Sequence, residues 1–579
     1  MTEQEKKTEQ MRRFATVEER RALAGRIAAG GAVLLKNEGN LLPFSGSTRV
    51  AVFGRTQINT IKGGTGSANC DCEYTVSFLD GIRGAGIPVD EHLADVYRTW
   101  TAAHPIPSFG VWGSGMHCAP EMSLDDTILA DAEKNADAAI VVIGRTAGEN
   151  EDVAFGEGDW YLSADERNML GAVVSRFPGR TAVLVNSGGL IDFSFADTFG
   201  VSALLLCFMP GMEGARAIGD ILAGHVTPSG KLTATVAKNY EDYPSAGHFG
   251  QTGGGIIQDY VEDIYVGYRY FLTFAQEKIR YPFGFGLSYT TFELSDCSAS
   301  EKNGVITVSC RVTNTGGTYS GREVAQVYFS SPQPEDGAKL YRPRRVLAGF
   351  AKTKTLLPGE SETVTVSFPL SDLASFDDTG VTGHRDCFVT EAGDYRVFLG
   401  NSSFADTEVF LYHQKETVFS ETLTHLGTSL PARLCGDGSM ETLETIPVDP
   451  RAGLRISSDG ETVVPAGAVA ASDTTIEADL SALHAGQSVT YRLIAGASGG
   501  YTLRFDGNAS GRFSDYGELS LGGVTLTDFD ADLSSAGGDG IILPSGVSDL
   551  TVTAKRDFPP VTALVFRKVN SVFRISGKG

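Results

Sequence analysis

Four short runs, "RVAVFG" (49–54), "AAIVVIG" (138–144), "TAVLVN" (181–186) and "SALLLCF" (202–208), are apolar at consecutive positions, not alternate ones. A strand can be apolar on both sides only if both sides are covered. Such runs therefore predict a mostly parallel sheet with helices on each face. Helical patterns follow the runs, as in "SADERNMLGAVVSRF" (163–177) and "MEGARAIGDILAG" (212–224). The first of these opens with Ser163 and has Glu166 three residues later, the spacing of a capping box. From about 290 the hydrophobic period becomes two, in "VITVSCRVTN", "EVAQVYFSS", "ETVTVSFPL" and "DYRVFLG". Turn residues separate these runs at the spacing of a β-sandwich of about a hundred residues. A polar, Thr-rich segment near 413–430 reads as a linker, and strand-like runs such as "SVTYRLIAG" and "GYTLRFDG" resume beyond it. The fold class is α/β plus all-β: an α/β sandwich over 1–288, a β-sandwich over 289–405 and a β-sandwich or jelly roll over 425–579.

At 579 residues, the chain is too long for a single core. Its 48 basic and 71 acidic residues give a net charge of −23. A field of that sign repels phosphate backbones, so nucleic acid is not an expected partner. The charged start of the sequence lacks the apolar stretch of a secretory signal. No run reaches the roughly 18 uncharged apolar residues of a membrane span. These features predict a cytoplasmic protein with no membrane partner. Eight scattered cysteines suit reduced thiols. Cys70 and Cys72 form a C-x-C without a second pair or histidines at zinc spacing, so no metal or other cofactor is expected.

The stretch "GRTAGENEDVAFGEGDWYLSADE" (144–166) places seven carboxylates directly after a core strand. On an open parallel sheet, ligands bind outside the carboxyl ends of the strands, which is where this stretch lies. It is either a solvated loop or the seat of a carboxylate for acid catalysis. A second loop, "KGGTGSAN" (62–69), is rich in glycine, which lets backbone approach a ligand closely. It lacks the G-K-[ST] ending of a phosphate loop, which argues against a nucleotide.

Several segments together resemble glycoside hydrolase family 3, the β-glucosidase family: "AVLLKNEGNLLPF" (32–44), "KGGTGSAN", "MPGMEGARAIGDILAGHVTPSGKL" (209–232), "EDIYVGYRYF" (262–271) and "YPFGFGLSYTTF" (281–292). The resemblance covers roughly 20 to 403. It implies that the first β-sandwich is fibronectin type III-like and that the chemistry is retaining O-glycosyl hydrolysis. In "GENED" it puts Glu149 at the general acid/base and Asp152 at the aspartate that usually follows. Crowding by neighbouring carboxylates would raise the pKa of Glu149 toward the working pH. The resemblance also places Ser67, with Gly66, near the sugar, and Trp160 among the aromatic residues of the substrate face. Asn150 replaces the family's second glycine and Val153 stands where arginine is usual, which leaves the partner of Asp152 open. Glu151 and Glu157 read as structural or solvated.

Retaining hydrolysis needs two carboxylates about 5 Å apart. In the family the nucleophile is an aspartate on a TIM barrel, commonly in Ser-Asp-Trp, and no eightfold βα repeat is visible in this sequence. Ser514-Asp515-Tyr516 and His248-Phe249 resemble barrel motifs but lie outside any such repeat. The opening segment "FGRTQINTIKGGTGS" is most like the subset of the family with swapped domain order. The expectation is thus a β-glycosidase component acting on a glycoside, with the barrel supplied by a TIM-barrel partner or within a homo-oligomer. A non-catalytic carbohydrate-binding or scaffold protein descended from such an enzyme is the alternative, and a complete hydrolase using Asp515 is a third reading. The final domain has the look of a carbohydrate-binding jelly roll; without a tryptophan, only Tyr501, Tyr516 or a phenylalanine could offer a sugar platform, and structural packing is the expected role of each.

Overall fold

The computed structural model describes residues 16–65, 68–106, 118–148, 153, 155–249, 260–423, 432–443, 465–469, 474–495, 499–527, 529–534, 538–543 and 546–569. The chain forms two compact units, one of residues 1–425 and 432–442, the other of 426–431 and 443–579.

The first unit starts with helix α1 (Val17–Gly31), capped by Thr16 and Glu19 in a capping box. A five-stranded sheet follows: β1 (Val33–Asn37), β2 (Val50–Phe53), β3 (Ala138–Arg145), β4 (Thr181–Ser187) and β5 (Ala203–Leu206), in the order β1-β5-β4-β3-β2. Strands β2 to β5 run parallel, and β1 closes the edge antiparallel to β5. Every residue of β2 to β5 is buried. Alternate side chains enter two separate cores. Val141, Ile143, Val183 and Leu204 pack on one face with Leu93, Leu129 and Leu170, whereas Ile140, Val142, Leu184 and Leu205 pack on the other with Phe78, Ile82, Ile218 and Leu222. This double burial is why the four runs read as continuously apolar.

The helices over these faces are α2 (Phe78–Gly84), α3 (Glu91–Ala103), α4 (Asp126–Asn135), α5 (Ala164–Arg176), the short α6 (Phe195–Thr198) and α7 (Gly214–Leu222). Ser163 and Glu166 form the predicted capping box at the start of α5. Helices α2 and α7 cross so closely that a Cβ at Gly81 would strike the Ala215 carbonyl, and one at Gly219 the Gly81 carbonyl.

The fibronectin-like part is a sandwich of two antiparallel sheets. One is ordered Val346–Lys352, Val324–Ser330, Gly393–Gly400, Thr407–Gln414; the other is Ser361–Pro369, Val305–Asn314, Phe292–Lys302. Ile306, Val308, Cys310 and Val312 alternate into its core, opposite Val327, Tyr395 and Val397. Polar contacts that fix it to the α/β part include the Lys231–Glu323 ion pair at 2.7 Å, the Lys352 Nζ donating to Ser229 O at 2.8 Å, and Gln326 Nε2 donating to Gly284 O at 3.1 Å.

The expected linker near 413–430 is corrected in part. Residues up to Gln414 finish a strand, and Val418–Thr422 pairs with Cys387–Thr390. A hairpin of Ala432–Leu434 and Met440–Thr442 also belongs to the first unit, although it lies beyond residue 425. It is tied there by Arg433, which reaches Asp378 at 2.7 Å, and by Leu434 N donating to Val261 O at 2.6 Å.

The second unit is a β-sandwich of its own. A five-stranded sheet contains Ser488–Ala495, Gly546–Ala554 and Gly517–Leu521, and a four-stranded sheet contains Val561–Val569, Gly499–Gly507 and Asp539–Leu543. Tyr491, Leu503, Phe505, Phe513, Leu550 and Phe566 fill its core. Tyr501 is part of that core and only 1% exposed, so it serves packing and offers no sugar platform.

The close crossing of α2 and α7 leads to a test. Gly219→Ala should lower stability by about 1–3 kcal/mol, the cost typical of overpacking. Gly25→Ala, in α1 where a Cβ meets open space, should be neutral or stabilise by up to about 1 kcal/mol. All three tryptophans lie in the α/β part, so denaturant midpoints followed by tryptophan fluorescence report on this element.

Candidate active site

Strand β3 ends at Arg145, a buried cation at the close of an apolar strand. Its guanidinium donates to both carboxylate oxygens of Glu166, at 2.6 and 2.8 Å, and to the Asp159 and Tyr161 carbonyls at 3.0 and 3.2 Å. One side chain therefore joins the departure of the acidic stretch to its return. Glu166 also accepts from Ser163 N at 2.8 Å, so the capping carboxylate and the ion-pair carboxylate are the same group. Part of the acidic run is thus structural. Glu157 pairs with Arg167 at 2.8 Å on the surface, which agrees with its predicted role.

The neighbouring strand contributes Asn186, fully buried. Its Oδ1 accepts from Ile61 N at 2.8 Å, and its Nδ2 donates to Ile61 O at 3.0 Å and Phe208 O at 2.7 Å. The loops that follow β2 and β5 are thereby held against the end of β4. The loop after β2 also meets the loop after β3: Thr65 forms a parallel bridge with Gly148, and its N–H donates to Ala147 O at 2.8 Å. A Cβ at Gly64 would lie 2.8 Å from that same carbonyl, which explains the glycine.

Glu149, Asp152, Gly66 and Ser67 lie outside the described residues. Gly148, which precedes Glu149, and Thr65, which precedes Gly66, are the pair that bridges. Trp160 is described and buried, with its ring edge-on to Tyr240 and Tyr243 at 5.6 and 5.7 Å. Together with Val153, Leu190 and Phe249, these rings line a cavity of about 250 Å³. Phe249 belongs to the His248-Phe249 pair noted in the sequence, and its place is on this wall, not in a barrel. Asp515 lies in the second unit, in the short helix Phe513–Tyr516, where it accepts from Arg512 N at 3.4 Å.

A residue that the sequence reading passed over is Glu121. It is buried, and its two oxygens accept from Met122 N and Arg55 N, both at 2.8 Å. The Arg55 guanidinium is engaged elsewhere, with the Pro120 and His104 carbonyls, each at 2.8 Å, and over the Trp100 ring. Burial pushes the Glu121 carboxyl up from 4.5 to about 7, against the pull of those two backbone donors. Glu121, Glu166 and Thr146 surround a small cavity of about 40 Å³ at the same carboxyl edge. Nothing local in "APEMSL" marks this glutamate; the signal is the long-range contact with Arg55.

Residues 32–289 match the glycosyl hydrolase family 3 C-terminal domain, and residues 323–403 match a fibronectin type III-like domain. A β-glucosidase of Ruminococcus albus is 38% identical over 401 residues, covering 69% of this chain and 41% of that protein. The crystal structure of a β-glucosidase from Paenibacillus barengoltzii superposes with a TM-score of 0.68 at 39% identity, over 75% of this chain and 50% of its own. β-Glucosidase 3B from Thermotoga neapolitana, in complex with α-D-glucose, gives 0.64 at 37% identity over 70% and 55%. The chain spans about half the length of these relatives.

The Glu121 carboxyl makes stability depend on pH. Between 4.5 and about 7 the folded state keeps a proton that the unfolded state has released, so stability falls as pH rises through that window and is flat above it. The loss is on the order of 3 kcal/mol. Glu121→Gln should match the wild type near pH 5 and exceed it near pH 8, as measured by denaturant midpoints at each pH.

Proposed function

The chain belongs to the β-glucosidase-like proteins of glycosyl hydrolase family 3, with a fibronectin type III-like domain after the family's α/β domain, and from that premise we propose that it supplies the acid/base side of a retaining β-glycosidase. Glu149 is the general acid/base. Ser67 and Gly66 contact the sugar, Asp152 helps to hold the loop or the substrate, and Trp160 belongs to the substrate face. The observation that carries the reading is the Thr65–Gly148 bridge, which joins the two loops that lead into Ser67 and Glu149.

Acid catalysis needs the proton donor next to the glycosidic oxygen and the nucleophile on the opposite face of the sugar. Among the described residues there is no eightfold βα repeat to carry that nucleophile. The proposal has the aspartate presented by a TIM barrel, on a partner chain or within a homo-oligomer. The scattered cysteines of the sequence are the basis of the proposed cytoplasmic setting. Among the described residues no helix is long and apolar enough to cross a membrane.

The chain alone should not turn over an aryl β-glucoside at a useful rate, and addition of the barrel partner should restore turnover. In the restored complex, Glu149→Gln should slow hydrolysis of an alkyl glucoside, whose leaving group needs a proton, by about 10²–10⁴-fold. A dinitrophenyl glucoside should lose far less. Equal losses on both substrates would assign Glu149 a positioning role, and robust turnover by the isolated chain would remove the need for a partner.

A further inference from the structure

The strand Phe292–Lys302 of the fibronectin-like sandwich changes face partway along. Phe292 and Leu294 pack against the sandwich core, and so do Cys297 and Ala299, so the alternation slips by one residue between 294 and 297. The slip is a β-bulge. Ser295 pairs with Arg311 and Ser298 with Ser309, which leaves Asp296 and Cys297 opposite Cys310. Asp296 admits the extra residue by taking a left-handed backbone, with φ 49°, and its carboxylate pairs with Arg311, next to Cys310. Without that extra residue Cys297 would point away from the core. With it, thiols from two neighbouring strands face each other, and Cys297 Sγ donates to Cys310 Sγ at 3.1 Å.

Neighbouring antiparallel strands hold opposed Cα atoms about 4.5–5.5 Å apart, inside the range that a disulfide spans, and the two sulfurs need to approach by only about 1 Å to bond. They differ in access. Cys310 is buried, and that burial pushes its thiol up and keeps it protonated. Cys297 is half-buried and lines a cavity of about 190 Å³ with Leu294, Leu399 and the turn after Gly400, room enough for a small oxidant. We propose that Cys297 and Cys310 form a peroxide-sensitive dithiol that oxidises to a reversible disulfide inside the fibronectin-like sandwich. The Cys297 thiolate attacks one oxygen of hydrogen peroxide. The S–O bond forms, the O–O bond breaks, and the departing hydroxide takes up the proton that Cys297 released. The Cys310 sulfur then attacks the sulfenic sulfur, and the hydroxide displaced from it takes the Cys310 proton. Two thiols and one peroxide thus give one disulfide and two waters, with two electrons passing from sulfur to oxygen.

Tryptic peptide mapping of the full chain, alkylated before and after brief exposure to hydrogen peroxide, tests this. Trypsin cuts after Lys302, which puts the two cysteines on separate peptides. After peroxide those peptides should appear joined through Cys297 and Cys310, and dithiothreitol should part them and return both thiols. Cys310→Ser, which removes the second thiol, should leave Cys297 as a sulfenic acid, with dimedone labelling at least fivefold above the wild type. Cys297→Ser should leave Cys310 reduced under the same exposure. The mapping of the wild type needs no variant, so the proposal stays testable even if Cys310→Ser fails to fold. Full alkylation of both cysteines after peroxide, a bond from either one to a different cysteine, or oxidation of Cys310 in Cys297→Ser would overturn it.

Discussion

Arg145 closes a strand whose other residues are all small or apolar, and it is buried with Glu166 as its only carboxylate partner among the described ion pairs. A cation in that position cannot stand alone: breaking a buried pair by removing one member typically costs about 3–5 kcal/mol. The pair is satisfied beyond its Coulombic attraction, since the remaining guanidinium hydrogens reach the Asp159 and Tyr161 carbonyls and Glu166 caps its own helix. The consequence is positional. The acidic stretch leaves the sheet at Arg145, and the same side chain ties Asp159, Tyr161 and Glu166 at its return.

The same edge is braced a second time by Asn186, which holds the loops after β2 and β5 by their backbones. Both braces follow from the doubly covered sheet. Interior strands have no free edge, so polar side chains at their ends satisfy backbone groups of the crossing loops instead of water. Loops placed by a rigid scaffold in this way are where binding residues usually reside. The glycines at 64 and 148 let the two candidate loops touch.

Local features of this structure were legible in the sequence and long-range polar ones were not. The four apolar runs announced β2 to β5 because double burial leaves a mark at every position, and the Ser163–Glu166 box announced the start of α5 because its partners are three residues apart. Val418–Thr422 reads as linker because the segment around it is polar and Thr-rich; all five residues are exposed, so pairing with Cys387–Thr390 holds the strand without any hydrophobic alternation to betray it. The hairpin 432–442 is tied to its unit by Arg433 reaching Asp378, a contact across 55 residues that no window of sequence displays. For the same reason Glu166 was visible as a cap but not as the partner of Arg145, and Glu121 was not visible at all. An arginine at the end of "AAIVVIG" was the one available clue, since a charge beside a core strand demands a partner.

The central claim is that polar side chains at the ends of β3 and β4 hold the candidate loops together. Hydrogen exchange at the amides of Ile61 and Thr65, which donate to Asn186 Oδ1 and to the Ala147 carbonyl, tests it most directly. Both amides should be protected in the wild type nearly as well as those of β4, and Asn186→Ala should release both while leaving β4 protected. Exchange of both amides at the rate of an open loop in the wild type, or protection unchanged in Asn186→Ala, would contradict it.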